Sequence, residues 1–99
     1  MADTPEKKVK TKVKRLLEEN GVYHFSPYQA GMGRAGIPDI ICCCNGRFLA
    51  VECKAGKGKT TPLQDREIEQ IRSHGGVALV INENNLDELK EALEWLKTE

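Results

Sequence analysis

Asp39, Glu52 and Lys54 are the residues whose types and spacing can do chemistry in this chain. Asn45-Gly46 separates two apolar runs, residues 37–44 and 47–53, and Asn-Gly in that setting is the strongest short signal for a β-hairpin. With Asn45 and Gly46 as the loop residues, Cys44 faces Arg47, and counting back along both strands sets Asp39 directly opposite Glu52. Such partners share a sheet face, with Cβ atoms about 4.5–5.5 Å apart. Lys54 follows Glu52 at the strand period and points the same way. Two carboxylates held that close repel each other. A divalent cation such as Mg2+ or Mn2+ offsets the repulsion, because hard cations take carboxylate oxygens. A cation held there polarises a phosphate ester and acidifies a bound water. An amine beside it orients that water or stabilises the charge developing on phosphate. The same residues also admit a plainer reading, a structural cross-strand Asp–Glu pair neutralised by Lys54.

These side chains need elements to hold them. Thr4, Pro5 and Glu6 open a first helix: a cap, a proline suited to the first position, and an acid at the positive end of the dipole. Val9, Val13, Leu16 and Leu17 form its apolar stripe, and Asn20-Gly21 stops it. A strand is predicted over residues 22–28, followed by a glycine-rich loop over 29–36 that carries Arg34. The two hairpin strands are apolar on both faces, which predicts a sheet covered on both sides. Thr61, Pro62 and Gln64 read as a capping box opening a second helix, with Ile68 and Ile71 turned inward and a stop at Gly75-Gly76. A short buried strand follows over Val77–Ile81. Asn85 and Glu88 form a second capping box, and Leu86, Leu89, Leu93 and Leu96 line a last helix. The order is α-β-β-β-α-β-α, an α/β chain of one domain over residues 1–99.

Composition narrows the function classes. No apolar run reaches the roughly 20 residues of a membrane span, and residues 1–14 are too polar for a signal peptide, so a cytoplasmic protein with no membrane partner is expected. The formal net charge of zero hides an asymmetry: residues 1–61 hold 11 Lys/Arg and 6 Asp/Glu, residues 62–99 hold 4 and 9. The basic half can meet a phosphate backbone. Aromatic residues are 5% of the chain, too few for a stacking platform for single strands. Cys42, Cys43, Cys44 and Cys53 have no C-x-x-C spacing, so they read as reduced apolar residues rather than zinc ligands or disulfides. Two glycine motifs are discounted, and no nucleotide cofactor is expected. The G-x-G-x-x-G over residues 31–36 precedes a strand rather than a helix. Gly58-Lys59-Thr60 has Cys53 where the phosphate-binding pattern needs glycine.

Ile37-Pro38-Asp39 followed by Val51-Glu52-Cys53-Lys54 resembles the signature of the PD-(D/E)XK nucleases. Gly36 before it, the Gly46-Arg47-Phe48 turn, Gln64 in the next helix and Glu6 in the first bring the chain nearest to the stand-alone VRR-NUC domains of phage and bacteria. That resemblance implies a restriction-endonuclease-like αβββαβ core, a mixed sheet covered by helices, with an added C-terminal helix. It implies a metal-dependent DNA endonuclease in the bacterial or phage-infected cytoplasm. Asp39 and Glu52 would hold Mg2+ or Mn2+ with the main-chain carbonyl of Cys53; Lys54 would be the catalytic lysine; Gln64 would support the site; Glu6 would be an outer or second-metal ligand. Plainer roles stand beside the last two, Gln64 as a capping residue and Glu6 as a helix-dipole acid. Cys53 departs from the family's usual β-branched residue and faces the other side of the sheet. Stand-alone members resemble Holliday-junction resolvases, which implies a homodimer cutting four-way junctions, since symmetric cleavage needs two active sites. Lys7, Lys8, Arg34, Lys57 and Lys59 would then meet DNA through phosphate contacts. A nicking, flap or duplex endonuclease within a larger assembly is a second reading, and a non-catalytic DNA-binding module a third.

Overall fold

The computed structural model describes residues 3–28 and 34–98. Most of the glycine-rich loop read from the sequence thus lies outside the described residues; Arg34, Ala35 and Gly36 lie within them. The elements are α1 (Pro5–Glu19), β1 (Tyr23–Phe25), β2 (Ile40–Cys44), β3 (Arg47–Cys53), α2 (Pro62–Ser73), β4 (Val77–Ile81) and α3 (Leu86–Thr98). The sheet order is β1-β2-β3-β4; β1–β2 and β2–β3 are antiparallel and β3–β4 is parallel. This is the mixed α/β sheet with helices that the sequence predicts.

Each helix begins where the sequence places a cap. Thr4 accepts a hydrogen bond from the Lys7 amide (3.1 Å), and Asn20 closes α1. In the hairpin both turn residues have positive φ, 53° at Asn45 and 79° at Gly46. That is the backbone of a two-residue turn whose twist matches its strands. Cys44 pairs with Arg47 and Ile40 with Val51, so the register is the one counted from the turn.

The two faces of the sheet differ. Ile40, Cys42, Leu49, Val51, Cys53 and Ile81 lie on the face packed against Val9, Val13 and Leu17 of α1 and Leu89, Leu93 and Leu96 of α3. All of these are at most 2% exposed. The other face is covered by α2 only beside β4 and β3. Over β1 and β2 it is open: Tyr23 is 69% exposed, Phe25 47% and Phe48 45%, with Cys43 exposed between them.

Helices thus lie on both faces of the sheet, as expected, but α2 leaves the β1–β2 part of its face uncovered. Period-2 patterning shows that Ile41 and Cys43 are apolar, not whether a helix reaches them. The strands are also shorter than expected. β1 spans Tyr23–Phe25 rather than residues 22–28, and β2 begins at Ile40 rather than 37. Pro27 and Pro38 have no N–H for a ladder, and Asp39 meets β3 through its side chain instead. The second capping box is absent as well. Asn85 Oδ1 accepts from the Asn82 amide (2.6 Å), and its Nδ2 donates to Val80 O and to Glu88 Oε2 (both 2.9 Å), tying the end of β4 to α3.

Candidate active site

The site forms where β2 starts and β3 ends, between the N-termini of α1 and α2. Asp39 sits just before β2, one step along the register from the Ile40–Val51 pair, and so beside Glu52. Its Oδ2 accepts a hydrogen bond from the Cys53 amide (2.9 Å), which fixes the carboxylate against the strand. Its Oδ1 lies 3.5 Å from Lys10 Nζ. Glu52 is 3% exposed. Its Oε2 accepts from Gln64 Nε2 (3.0 Å) and lies 3.5 Å from Lys54 Nζ. Its Oε1 is buried without a hydrogen-bond partner, alone in this among the side-chain atoms of the described residues. Such an orphaned acceptor costs about 1–3 kcal/mol, more for a charged group, unless something binds it.

Glu6 completes the cluster. One carboxylate oxygen from each of Glu6, Asp39 and Glu52 lies within 4.8 Å of the others. Glu6 is exposed, Asp39 half-buried and Glu52 buried, so the group runs from solvent to core. Burial, and then the charge of Asp39, push the Glu52 carboxyl up to about 7, while Lys54 pulls the other way. A close-set trio of acids with a buried, unsatisfied oxygen has the donor set that hard divalent cations take. The residues present therefore fit a metal.

Gln64 is at once a capping residue and a hydrogen-bond partner of Glu52. Its Oε1 accepts from the Thr61 amide (2.9 Å) while Thr61 Oγ1 accepts from the Gln64 amide (3.2 Å), a complete capping box. Its Nε2 remains free to hold Glu52. The start of α2 is in turn pressed against Gly36. A Cβ there would lie 2.5 Å from the Leu63 carbonyl oxygen, and φ is +83°. Only glycine lets the chain before Asp39 approach α2 this closely.

The remaining predicted residues are placed as follows. Lys59 lines a cleft with Thr4, Pro5, Glu6, Lys54, Ala55 and Gly56. Lys57 is exposed in the same loop, which is tied down where Glu83 accepts from the Gly56 amide (2.7 Å). Lys7 and Lys8 are exposed on α1. Arg34 is not at the acids: it pairs with Glu67 (3.1 Å) and lines a separate groove with Phe48, Ile71 and His74. The Cys53 side chain is in the core, its thiol pushed up to about 12, chiefly by burial, as is that of Cys42. Two residues went unread in the sequence. Lys10, one helical turn after Glu6, had a signal in that spacing. Buried Glu67 had none beyond its place beside Ile68.

Comparison with known proteins agrees with this geometry. The sequence profile described as "Archaeal holliday junction resolvase (hjc)" matches residues 6–87. A phage protein named "Putative nuclease p44", from Acyrthosiphon pisum secondary endosymbiont phage 1, is 36% identical over 62 residues, 62% of this chain and 67% of its own length. A solved structure titled "VRR_NUC domain" superposes with a TM-score of 0.75 at 28% identity, over 90% of this chain and 97% of its own. A second, "VRR_NUC domain protein", has a TM-score of 0.73 at 23% identity over 97% and 93%, and speaks for the fold. With its profile match spanning most of the sequence and its acids gathered at the sheet end, this chain belongs to the Hjc family of nucleases and has the VRR_NUC fold.

Proposed function

We propose that this protein is a metal-dependent, structure-selective DNA endonuclease that resolves four-way junctions as a homodimer. The observation that carries the chemistry is the buried, partnerless Glu52 Oε1 among the carboxylates of Glu6, Asp39 and Glu52. Glu52 and Asp39 would hold Mg2+ or Mn2+, with the Cys53 carbonyl beside them and Glu6 from the solvent side. Such a cation, when bound, supplies a Lewis acid for the scissile phosphate and acidifies the attacking water. Lys54 Nζ, 15% exposed beside Glu52, is placed to orient that water or to stabilise charge gathering on the phosphate. Gln64 acts through Glu52: it fixes Oε2, and Oε1 would remain available to a cation. Lys59 in the cleft and the exposed Lys57 of the same loop, with Lys7 and Lys8 on α1, offer salt-sensitive phosphate contacts. Among the described residues no helix has the form of a dedicated groove reader, which favours recognition of DNA shape over sequence.

The dimer reading rests on the open half of the sheet. Tyr23, Phe25, Ile41, Cys43 and Phe48 form an uncharged surface on the same face as Asp39 and Glu52. A DNA backbone would call for basic groups there; a second copy of the chain calls for apolar ones.

The test is cleavage of an end-labelled four-way junction and a matched linear duplex with Mg2+ or Mn2+, for wild type and Lys54→Ala. The expected result is paired, symmetric cuts in the junction alone, abolished by chelator and reduced about 100- to 1,000-fold in the variant. Equal cutting of both substrates would retain the active site and reject junction selectivity. No metal-dependent cutting of either would reject the nuclease reading.

A further inference from the structure

The acids do not stand alone at this site. α1 delivers Glu6 and, one turn later, Lys10 to the same face of the helix. Lys10 Nζ lies 3.5 Å from Asp39 Oδ1. The remaining oxygens show why this contact matters. The protein itself fixes one oxygen of each inner acid, Asp39 Oδ2 through the Cys53 amide and Glu52 Oε2 through Gln64 and Lys54. The oxygens left for a cation are Glu52 Oε1, which has no partner, and Asp39 Oδ1, which Lys10 holds.

We propose that Lys10 is a built-in competitor for the metal site, pairing with the Asp39 oxygen that a divalent cation would use and yielding it when the cation binds. This rests on the reading of Glu6, Asp39 and Glu52 as metal ligands. Lys10 is suited to the role in two ways. Its ammonium supplies one positive charge near two inner carboxylates, so it lowers their mutual repulsion without removing it. Its side chain is 33% exposed and unbranched, so it can swing to solvent, unlike the more enclosed Lys54, which is 15% exposed. Swung away from Asp39, it would present a free ammonium beside the acids, where a substrate phosphate is a natural partner. Lys10 is thus a positioning residue: it sets how readily the site loads, and loading frees a basic group for substrate.

The test is Mn2+ binding by isothermal titration calorimetry, without DNA, on wild type, Lys10→Met, Lys10→Arg and Lys12→Met. Removing a positive charge that both repels the cation and occupies its ligand is expected to tighten Mn2+ binding about tenfold or more in Lys10→Met. Lys10→Arg keeps the charge and should stay near wild type. Lys12→Met removes a charge from an exposed position of α1 and should also stay near wild type. Unchanged or weaker binding in Lys10→Met, or an equal gain in Lys12→Met, would overturn the competitor role. If wild type binds Mn2+ and Glu52→Gln abolishes it, such a failure belongs to Lys10 alone. If wild type binds none, the metal-site reading falls with it.

Discussion

One face of the sheet carries two regions with inverted character. Toward the hairpin turn, the row Tyr23–Cys43–Phe48 is uncharged and exposed. Toward the other end, Asp39 and Glu52 are charged and drawn inward, Glu52 to 3% exposure. Neither arrangement is favourable for an isolated chain, because apolar surface prefers burial and charge prefers water. The exposed apolar row fits a protein surface, and the buried acids fit a cation. Both follow from one fact of the fold, that α2 covers the β4 side of this face and leaves β1 and β2 open.

The apolar region can be broken by one charge. Tyr23 is on the short edge strand and 69% exposed, so Tyr23→Glu should leave the protomer folded. Two such charges meeting across a two-fold interface cost several kcal/mol. Sedimentation equilibrium should therefore show wild type as a dimer and the variant as a monomer, with paired junction cuts replaced by single nicks. A wild-type monomer, or an undisturbed dimer in the variant, would place the interface elsewhere.

The charged region can be tested by pH. Burial, and then the charge of Asp39, push the Glu52 carboxyl up to about 7, well above the ordinary glutamate range. An acid whose pKa is raised by folding leaves stability intact below the unfolded value and costs stability as pH climbs through the folded one. Without divalent metal, the protein should be less stable at pH 8 than at pH 5, by about 3 kcal/mol from this group. Denaturant melts in chelator should show that slope, and Glu52→Gln should remove it while raising stability at pH 8. Cation affinity should fall as pH drops below about 7, because proton and metal compete for one carboxylate. A flat pH profile in the wild type would mean that Glu52 is solvated or already neutralised.

A smaller effect sharpens the contrast from the backbone. Gly36→Ala places a Cβ against the Leu63 carbonyl at positive φ, and should cost about 1–3 kcal/mol. Because α2 carries Gln64, the damage should reach the site: metal affinity should drop while dimerisation holds. A variant as stable as wild type would show that the approach of this segment to α2 is loose.

The hairpin was legible because Asn45-Gly46 allows one register, and that register brings Asp39 to Glu52. The helix starts were legible because caps are local. Features that depend on how elements lie against one another were not. Ile41 and Cys43 look like any buried strand residues until α2 is seen to miss them. Gln64 reads as a cap or a site residue, and only the placement of α2 over β3 shows its amide capping the helix with one end and holding Glu52 with the other. Lys10 was one of several basic residues on α1, distinguished only once α1 lies beside Asp39. Arg34 reads from the sequence as a DNA contact with the other basic residues, but its partner Glu67 is on α2, at another groove.

Whether the carboxylates of Glu6, Asp39 and Glu52 hold a divalent cation is tested most directly by a crystal soaked in Mn2+, with anomalous scattering recorded for wild type and Glu52→Gln. One strong peak is expected in wild type within roughly 2.1 Å of Glu52 Oε1 and an Asp39 oxygen, absent in the variant. No peak at the cluster, or a peak that persists in Glu52→Gln, would contradict such a site.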